Sequence, residues 1–226
     1  MIDRLSHIRT WVFDLDNTLY PATAGVFAQI DARITRYICD MDGCDAATAL
    51  TVQKGHFHAH GTTLSGLMAE RDVDPHHFLA YVHDVDMSAL TVDADVVAAL
   101  RRLPGRRIVF TNGDTPYALR VLDRLGLDGL FEGVHDIHAT GYRPKPHVSA
   151  YHGLRDSFGF DPHTALFVED MARNLAPAKA LGMTTVWIDN GSEQHGCGDR
   201  DYIDFTAPDL KGWLHRILED EECATS

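Results

Sequence analysis

The sequence has no long apolar run and no cysteine pair of the CxxC type. Its apolar runs all fall short of the roughly 18 residues that a membrane-spanning helix needs, so we expect no contact with a membrane. The first ten residues are polar rather than signal-like, which favours a cytoplasmic protein. The cysteines are therefore expected to be reduced thiols, although the spacing of Cys39 and Cys44 would allow a bridge. The four are Cys39, Cys44, Cys197 and Cys223.

Basic residues are also few, since 20 Lys and Arg stand against 33 Asp and Glu and give a net charge of −13. The electrostatic field of a chain with this net charge repels nucleic-acid polymers, so we do not expect them as partners. A small anionic ligand would need a local positive group. With 226 residues, 45% of them hydrophobic, the chain can bury one good core and a small second unit.

What the sequence does contain is an alternation of short apolar runs and amphipathic stretches, which is typical of an α/β protein. The predicted buried strands are Thr10 to Phe13, Ile108 to Phe110, Ala165 to Val168 and Thr184 to Ile188, with an edge strand at Tyr202 to Phe205. The predicted helices between and after them are Asp93 to Leu103, Thr115 to Leu125 and Leu210 to Leu218. The pattern predicts a Rossmann-like, doubly wound parallel sheet.

Residues 21–87 interrupt this alternation, because they hold several helical patterns and no convincing strand. We therefore predict a helical cap domain at 21–87, inserted after the first strand of a core domain formed by 1–20 and 88–226. The glycines of this insert are expected at turns. They are Gly43, Gly55, Gly61 and Gly66.

Polar residues follow three of the predicted strands: Asp14, Thr111 and the pair Glu169-Asp170. Any one of them could simply begin a loop or cap the next helix. In a doubly wound sheet, however, the carboxyl ends of the strands face one crevice, so all three together predict a functional site.

The chemistry of these residues suits phosphate and a metal ion. Asp14 and Asp16 are close enough to have different catalytic roles. One carboxylate can be ionised and attack the substrate or bind a metal, while the other is protonated and acts first as general acid and then as general base. Asp14 and Asp170, with a backbone carbonyl, would suffice for Mg²⁺. Lys145 lies between two prolines on a stiff loop and could neutralise a phosphoryl oxygen, although a single lysine is more often a solvated surface charge.

Four segments in order resemble the motifs of the haloacid dehalogenase-like (HAD) superfamily. They are FDLDNTLYP at 13–21, FTNG at 110–113, Lys145-Pro146, and FVED at 167–170 with Asn174 and Gly182-Met183. The resemblance spans roughly residues 10 to 190, and the position of the helical insert is similar to that of the superfamily's first cap class. It implies the fold predicted above and a phosphomonoester hydrolase.

The resemblance also implies residue roles. Asp14 would be the nucleophile that forms a phospho-aspartate, Asp16 the acid and base, and Thr111 and Lys145 would stabilise the transferring group together with backbone amides near Asn112. In the family, Mg²⁺ is coordinated by the nucleophilic aspartate, by the backbone carbonyl of the acid/base aspartate and by a carboxylate of the fourth motif. Here these would be Asp14, Asp16 and Asp170, with Glu169 acting through water or as a second ligand.

Within the superfamily the chain is similar to the pyrimidine 5′-nucleotidase group, which shares Asp-x-Asp-Asn-x-Leu-Tyr-Pro and a Gly-Thr-Thr cap signature, here HGTTLSGL at 60–67. Arg173-Asn174 is also similar, whereas Glu169 stands where that group has aspartate. The likeness implies that the substrate is a nucleoside 5′-monophosphate, which is a small phosphorylated metabolite. We expect the protein to be a monomer or a homodimer. The substrate-binding candidates are Asn112, Gly113, Tyr20, Thr62 and Thr63.

Several alternatives stay open. The same catalytic residues would serve a phosphatase of a small sugar phosphate or of phosphoglycolate, a phosphomutase, or a scaffold that regulates a partner without turnover. Thr62 and Thr63 could instead cap a helix that runs to Glu70. His56, His58 and His60 form an alternating cluster that is either a zinc site or a set of solvated cap histidines, and no Cys or Glu stands beside them in the sequence.

Overall fold

A computed structural model of the chain describes residues 5–191 and 200–224. Its sheet has six strands, all parallel, in the order β3-β2-β1-β4-β5-β6. The strands are β1 (Thr10–Phe13), β2 (Arg106–Phe110), β3 (Gly133–His135), β4 (Ala165–Glu169), β5 (Thr184–Ile188) and β6 (Phe205–Ala207). The predicted α/β doubly wound fold is confirmed.

Two strands differ from the sequence prediction. β3 was not predicted, because a three-residue segment with a glycine and a histidine carries almost no strand signal. β6 begins at Phe205, where the predicted edge strand ended. Tyr202 instead lies in the turn before β6 and accepts a hydrogen bond from Thr185 through its carbonyl oxygen.

Side chains of the central strands alternate between two hydrophobic clusters, one on each face of the sheet. On one face Val12, Phe110 and Phe167 pack with buried residues of the helices that follow β3 and β4. On the other, Phe13 and Val168 pack with the remaining core helices. The sheet is therefore covered by helices on both sides, which explains why its strands read as continuous apolar runs.

The helices are α1 (Val26–Asp42), α2 (Ala46–His60), α3 (Thr63–Arg71), α4 (Pro75–Val82), α5 (Ala94–Arg102), α6 (Thr115–Arg124), α7 (Val148–Phe158), α8 (Leu175–Leu181) and α9 (Leu210–Ala224). Helices α1 to α4 all lie between β1 and α5, and they pack on one another. Residues 21–87 contain no strand, as expected. The boundaries of the two domains stay a prediction.

Two of the four glycines of this helical segment do not lie at turns. Gly43 and Gly61 follow α1 and α2 with positive φ, whereas Gly55 and Gly66 lie inside α2 and α3. The turn prediction was wrong for Gly66 because packing, not backbone conformation, requires a glycine there. A Cβ at this position would lie 2.3 Å from Nδ1 of His56.

Cys39 and Cys44 are free thiols. Cys197 and the side chain of Cys223 lie outside the described residues. Among the helices of the described ranges, none has the length and apolar character to span a bilayer.

Candidate active site

The three polar strand ends lie side by side because β1 is between β2 and β4. Phe13 is in register with Val109 on one side and Val168 on the other, so the residues that follow all three strands meet at one edge. The backbone N–H of Asp14 donates to the carbonyl oxygen of Val168 at 2.9 Å, which holds the turn after β1 against β4. The convergence expected from the sheet topology is therefore present.

Lys145 reaches this edge from the loop before α7 and is almost completely buried. Its Nζ donates to Asp14 Oδ1 at 2.6 Å, to Glu169 Oε2 at 2.7 Å and to the carbonyl oxygen of Phe110 at 2.9 Å. Burial alone would lower the pKa of Lys145, but Asp14 and Glu169 raise it above its ordinary value, so the ammonium stays charged. Lys145 belongs to the site and is not a solvated surface residue.

Asn112 fixes the loop that carries this lysine. Its Oδ1 accepts from the backbone N–H of Lys145 at 2.8 Å, and its Nδ2 donates to the carbonyl oxygen of Lys145 at 3.3 Å. The side chain that we expected to bind substrate is thus engaged with the protein backbone.

Asp14, Glu169 and Asp170 form a buried carboxylate cluster whose oxygens lie within 4.8 Å of one another. Burial, followed by the charge of Glu169, raises the pKa of Asp14 to about 7, and Lys145 opposes both effects. Hard carboxylate oxygens crowded in this way are the ligands that Mg²⁺ prefers, and a dication would offset their mutual repulsion. The residues present therefore fit the expected cofactor.

Asp16 lies beside this cluster and is held by two tyrosines. Its Oδ1 accepts from the hydroxyl of Tyr20 at 2.5 Å and from that of Tyr117 at 2.6 Å. Burial, and then the charge of Asp14, raises the pKa of Asp16, while the two tyrosine hydrogen bonds act in the opposite direction. Because both donors act on Oδ1, the other oxygen is the one left to carry a proton.

Tyr117 is in turn supported from behind by a buried histidine. The ring of His83 stacks on that of Tyr117 with centroids 4.3 Å apart, and His83 Nδ1 lies 2.9 Å from Asp114 Oδ1. Burial alone would raise the pKa of Asp114, but the His83 contact lowers it. Asp114 also caps α6 by accepting from the backbone N–H of Tyr117, so one carboxylate fixes both the ring and the helix start.

A family model for haloacid dehalogenase-like hydrolases matches residues 8–182. The chain belongs to this family. The matched range contains all the strand-end residues described above and the whole helical segment between β1 and β2.

Among curated proteins, the chain is similar to Phosphate metabolism protein 8 of Saccharomyces cerevisiae, with 24% identity over 195 residues, which are 77% of this chain and 60% of that protein. Enolase-phosphatase E1 of Frankia alni is 34% identical over 107 residues, 45% of this chain and 44% of that protein. The matches thus span less than two thirds of either relative.

Solved structures of the family share the fold. A HAD phosphatase from Thermococcus onnurineus superposes with a TM-score of 0.62 at 18% identity, covering 93% of this chain and 98% of that one. L-2-haloacid dehalogenases also match, with TM-scores of 0.55 to 0.60 at 15% to 18% identity. The fold alone does not separate the two chemistries.

The other expected site residues of this hydrolase lie close to the strand ends. Thr111 is buried, and its Oγ1 accepts from the backbone N–H of Gly113 at 2.9 Å. A Cβ on Gly113 would lie 3.3 Å from both that oxygen and the ring of Tyr117, so the turn is tightly packed. This turn lies at the same edge of the sheet as Asp14, because β2 pairs with β1.

Thr62 and Thr63 do not present free hydroxyls. Thr62 caps α3, since its Oγ1 accepts from the backbone N–H of Ser65 at 3.2 Å, and Thr63 is buried and donates to the carbonyl oxygen of Gln53 at 3.3 Å. The capping alternative is confirmed for Thr62, and Thr63 is a packing residue inside the helical segment.

The helical segment nevertheless touches the active-site loops. Ser65 Oγ donates to the carbonyl oxygen of Tyr142 at 3.2 Å, and the guanidinium of Arg173 lies 4.2 Å from the ring centre of Phe57 on α2. The end of α2 therefore lies over the loops that carry Lys145 and Asp170.

Sequence reasoning missed Tyr117 and His83. Tyr117 lies in the first turn of α6, directly after the second motif, and that position could have been considered because the helix starts at the edge of the site. His83 had no such signal, since it follows α4 and reaches the site only through the packing of the helical segment.

Proposed function

We propose that this chain is a Mg²⁺-dependent phosphomonoester hydrolase that forms a phospho-aspartate on Asp14. The observation that carries the proposal is the buried ion cluster in which Lys145 holds Asp14 beside Glu169 and Asp170. The ammonium orients the attacking carboxylate and lies where a phosphoryl group would place its negative charge.

In the first step a carboxylate oxygen of Asp14 attacks phosphorus, and the bond from phosphorus to the leaving oxygen breaks. Asp16 gives its proton to that oxygen. In the second step Asp16 takes a proton from water, the water oxygen attacks phosphorus, and the bond to Asp14 breaks. Inorganic phosphate and free Asp14 result.

The two tyrosines support the role of Asp16. With Oδ1 engaged by Tyr20 and Tyr117, the acidic hydrogen belongs on Oδ2, and the carboxyl is oriented rather than free to rotate. Cleavage of a carbon–halogen bond releases halide and needs no such proton. Asp16 with its supports therefore favours phosphate ester hydrolysis over dehalogenation.

Asp14 and Asp170, with the Asp16 backbone carbonyl, would hold Mg²⁺, and Glu169, already bonded to Lys145, would act through water or as a further ligand. When bound, the ion supplies positive charge that stabilises the transferring phosphoryl group. Lys145 and the backbone N–H of Asn112 would act on the same group from the protein side.

A steady-state assay with an aryl phosphate tests the proposal directly. We expect Mg²⁺-dependent release of phosphate that a chelator abolishes and that added Mg²⁺ restores. No turnover at any Mg²⁺ concentration, in protein whose fold is verified by circular dichroism, would favour the non-catalytic scaffold instead.

Substitution of Asp16 tests the acid role. Asp16→Ala is expected to slow hydrolysis of an alkyl phosphate at least about tenfold more than that of an activated aryl phosphate, because only the poor leaving group needs a proton in the transition state. Tyr117→Phe keeps the ring stacked on His83 but removes one hydrogen-bond donor to Asp16. It should give a smaller loss of activity, again larger for the alkyl phosphate than for the aryl phosphate. Equal losses for both esters would remove Asp16 from this role.

For the substrate, we propose a pyrimidine nucleoside 5′-monophosphate, on the strength of the resemblance at residues 13–21 and 60–67. The helical segment at 21–87 would act as the cap that contacts the group beyond the phosphate. Phe57 on α2 is half-buried and carries the guanidinium of Arg173 over its ring, so the pair places an aromatic and a cationic group at this position. Because Thr62 and Thr63 are engaged within the segment, we assign base recognition to the end of α2 rather than to these hydroxyls.

A panel of phosphorylated metabolites separates the candidates. We expect kcat/KM for UMP or CMP to exceed that for AMP, for phosphoglycolate and for a hexose phosphate, and Phe57→Leu to narrow the gap while aryl phosphate turnover is kept. If phosphoglycolate or a sugar phosphate is the best substrate, the nucleotidase proposal fails and the phosphatase proposal stands.

A further inference from the structure

A second group of potential metal ligands lies in the helical segment, outside the candidate active site. His56 and His60 are four residues apart on α2 and share one face of the helix, and Glu70 near the end of α3 faces both. Glu70 Oε1 lies 3.7 Å from His56 Nδ1 and 3.7 Å from His60 Nε2. The carboxylate that the histidines lack in the sequence is thus supplied by the neighbouring helix.

The contacts of His56 are unusual for a buried imidazole. Its side chain is 7% exposed, and the distance from Nδ1 to Glu70 is too long for a hydrogen bond. Among residues 5–191 and 200–224, no group makes a hydrogen bond with its Nε2. A cation bound at Nδ1 would give that nitrogen the close partner that Glu70, at 3.7 Å, does not supply, and would place the ring hydrogen on Nε2.

Gly66 makes room for this ring. A Cβ at position 66 would lie 2.3 Å from Nδ1 and 2.5 Å from Cβ of His56, so α3 can lie this close to α2 only with glycine at the contact. The packing of the two helices therefore directs Nδ1 toward Glu70.

The ligand set favours a particular class of ion. Two imidazoles and one carboxylate are typical of zinc with an open fourth position, whereas Mg²⁺ prefers oxygen ligands alone. Zn–ligand bonds of about 2.0–2.1 Å at tetrahedral angles put ligand atoms roughly 3.3–3.4 Å apart. The two separations from Glu70 are 3.7 Å and need to close by only a few tenths of an ångström, and the separation between the two histidine nitrogens is at most 4.8 Å. His60 and Glu70 are partly exposed, which gives an ion and a water ligand access.

We propose that His56, His60 and Glu70 form a binding site for Zn²⁺ or a similar transition-metal dication, which joins α2 to α3. Gly61, directly after α2, packs so closely on the Lys145 loop that a Cβ there would lie 3.2 Å from Pro144 Cγ. The bound ion would therefore order the edge of the helical segment that touches the active-site loop. The site lies apart from the carboxylate cluster of the candidate active site, and the proposal is independent of the proposed phosphatase chemistry.

The test is a titration of the metal-stripped protein with Zn²⁺ in the presence of excess Mg²⁺. Calorimetry measures binding, and thermal unfolding measures the effect on stability. Co²⁺ in place of Zn²⁺ serves as a spectroscopic probe of the ligands. We expect Zn²⁺ to raise the melting temperature and Co²⁺ to give visible bands of a nitrogen- and oxygen-ligated site. His60→Gln and Glu70→Gln should each weaken Zn²⁺ binding at least about tenfold, since even loss of an outer-shell partner costs 10–100-fold.

His58→Gln is the matched control, because His58 is exposed on the same helix and is not among the three ligands. It should bind Zn²⁺ as the wild type does. His60 and Glu70 are at the surface, so their variants are expected to fold, whereas buried His56 is left unchanged. Wild-type affinity in His60→Gln and Glu70→Gln, an equal loss in His58→Gln, or no Zn²⁺ binding by the wild type would each overturn the proposal.

Discussion

Asp14→Asn is expected to reduce turnover of an aryl phosphate by more than about a hundredfold, which corresponds to about 2.7 kcal/mol of transition-state stabilisation. An amide does not attack phosphorus, and the carboxylate cluster loses one anionic ligand for Mg²⁺. The change is close to isosteric, and the amide oxygen can still accept from Lys145. Steady-state assays at saturating Mg²⁺ measure the loss.

The same variant separates activity from stability. Burial and Glu169 raise the pKa of Asp14 to about 7, so above that pH the folded protein holds this carboxylate charged at a free-energy cost that the unfolded chain does not bear. Without Mg²⁺, Asp14→Asn should therefore melt at or above the wild-type temperature at about pH 8. Asp123→Asn, on the exposed face of α6, is the control and should change neither quantity. Residual activity above about one percent would count against Asp14 as nucleophile.

Lys145→Met is expected to affect both activity and folding. The variant leaves Asp14 and Glu169 buried without their ammonium partner, and removing one member of a buried ion pair costs about 3–5 kcal/mol. The pKa of Lys145 is raised in the folded state, so its contribution is fully present below its ordinary pKa of 10.5 and is lost only as pH rises through the folded value. Denaturant unfolding at about pH 8, above the pKa of Asp14, should therefore show the whole deficit.

Two further measurements identify the cause of that deficit. The stability deficit should shrink from about pH 8 to about pH 5, because protonation of Asp14, whose pKa is raised to about 7, removes part of the uncompensated charge. Mg²⁺ should restore part of the lost stability. Lys179→Met is the matched control, since Lys179 pairs with Asp204 at 2.6 Å but both side chains are partly exposed, and we expect a loss below about 1 kcal/mol. A deficit that is independent of pH and of Mg²⁺ would indicate lost packing of the methylene chain instead.

The arrangement of strands and strand ends could be predicted because it depends on the period of the hydrophobic pattern and on the order of strands and helices along the chain. Buried parallel strands read as apolar runs, and the topology of a doubly wound sheet brings their carboxyl ends together. Asp14, Thr111 and Asp170 followed from this reasoning. The missed strand, Gly133–His135, is held by pairing with β2 rather than by its own composition.

The supports of the site could not be predicted in the same way. Tyr117 and His83 are 34 residues apart and meet only because the helical segment packs beside α6. Glu70 faces the histidines of α2 for a similar reason. Such contacts depend on how helices pack in three dimensions, and a single sequence records only which face of each helix is apolar.

The three hydrogen bonds of the Lys145 ammonium have a consequence for how catalysis would use it. An –NH₃⁺ group has three donors, and all three are engaged, with Asp14, Glu169 and the Phe110 carbonyl. The ammonium can donate a hydrogen bond to a phosphoryl oxygen only if it gives up one of these three partners. The Asp14 bond is the one that weakens as the carboxylate becomes an acyl phosphate and its charge passes to the transferring group. The lysine would then follow the moving charge, so its attraction would be stronger in the transition state than in the complex with intact substrate.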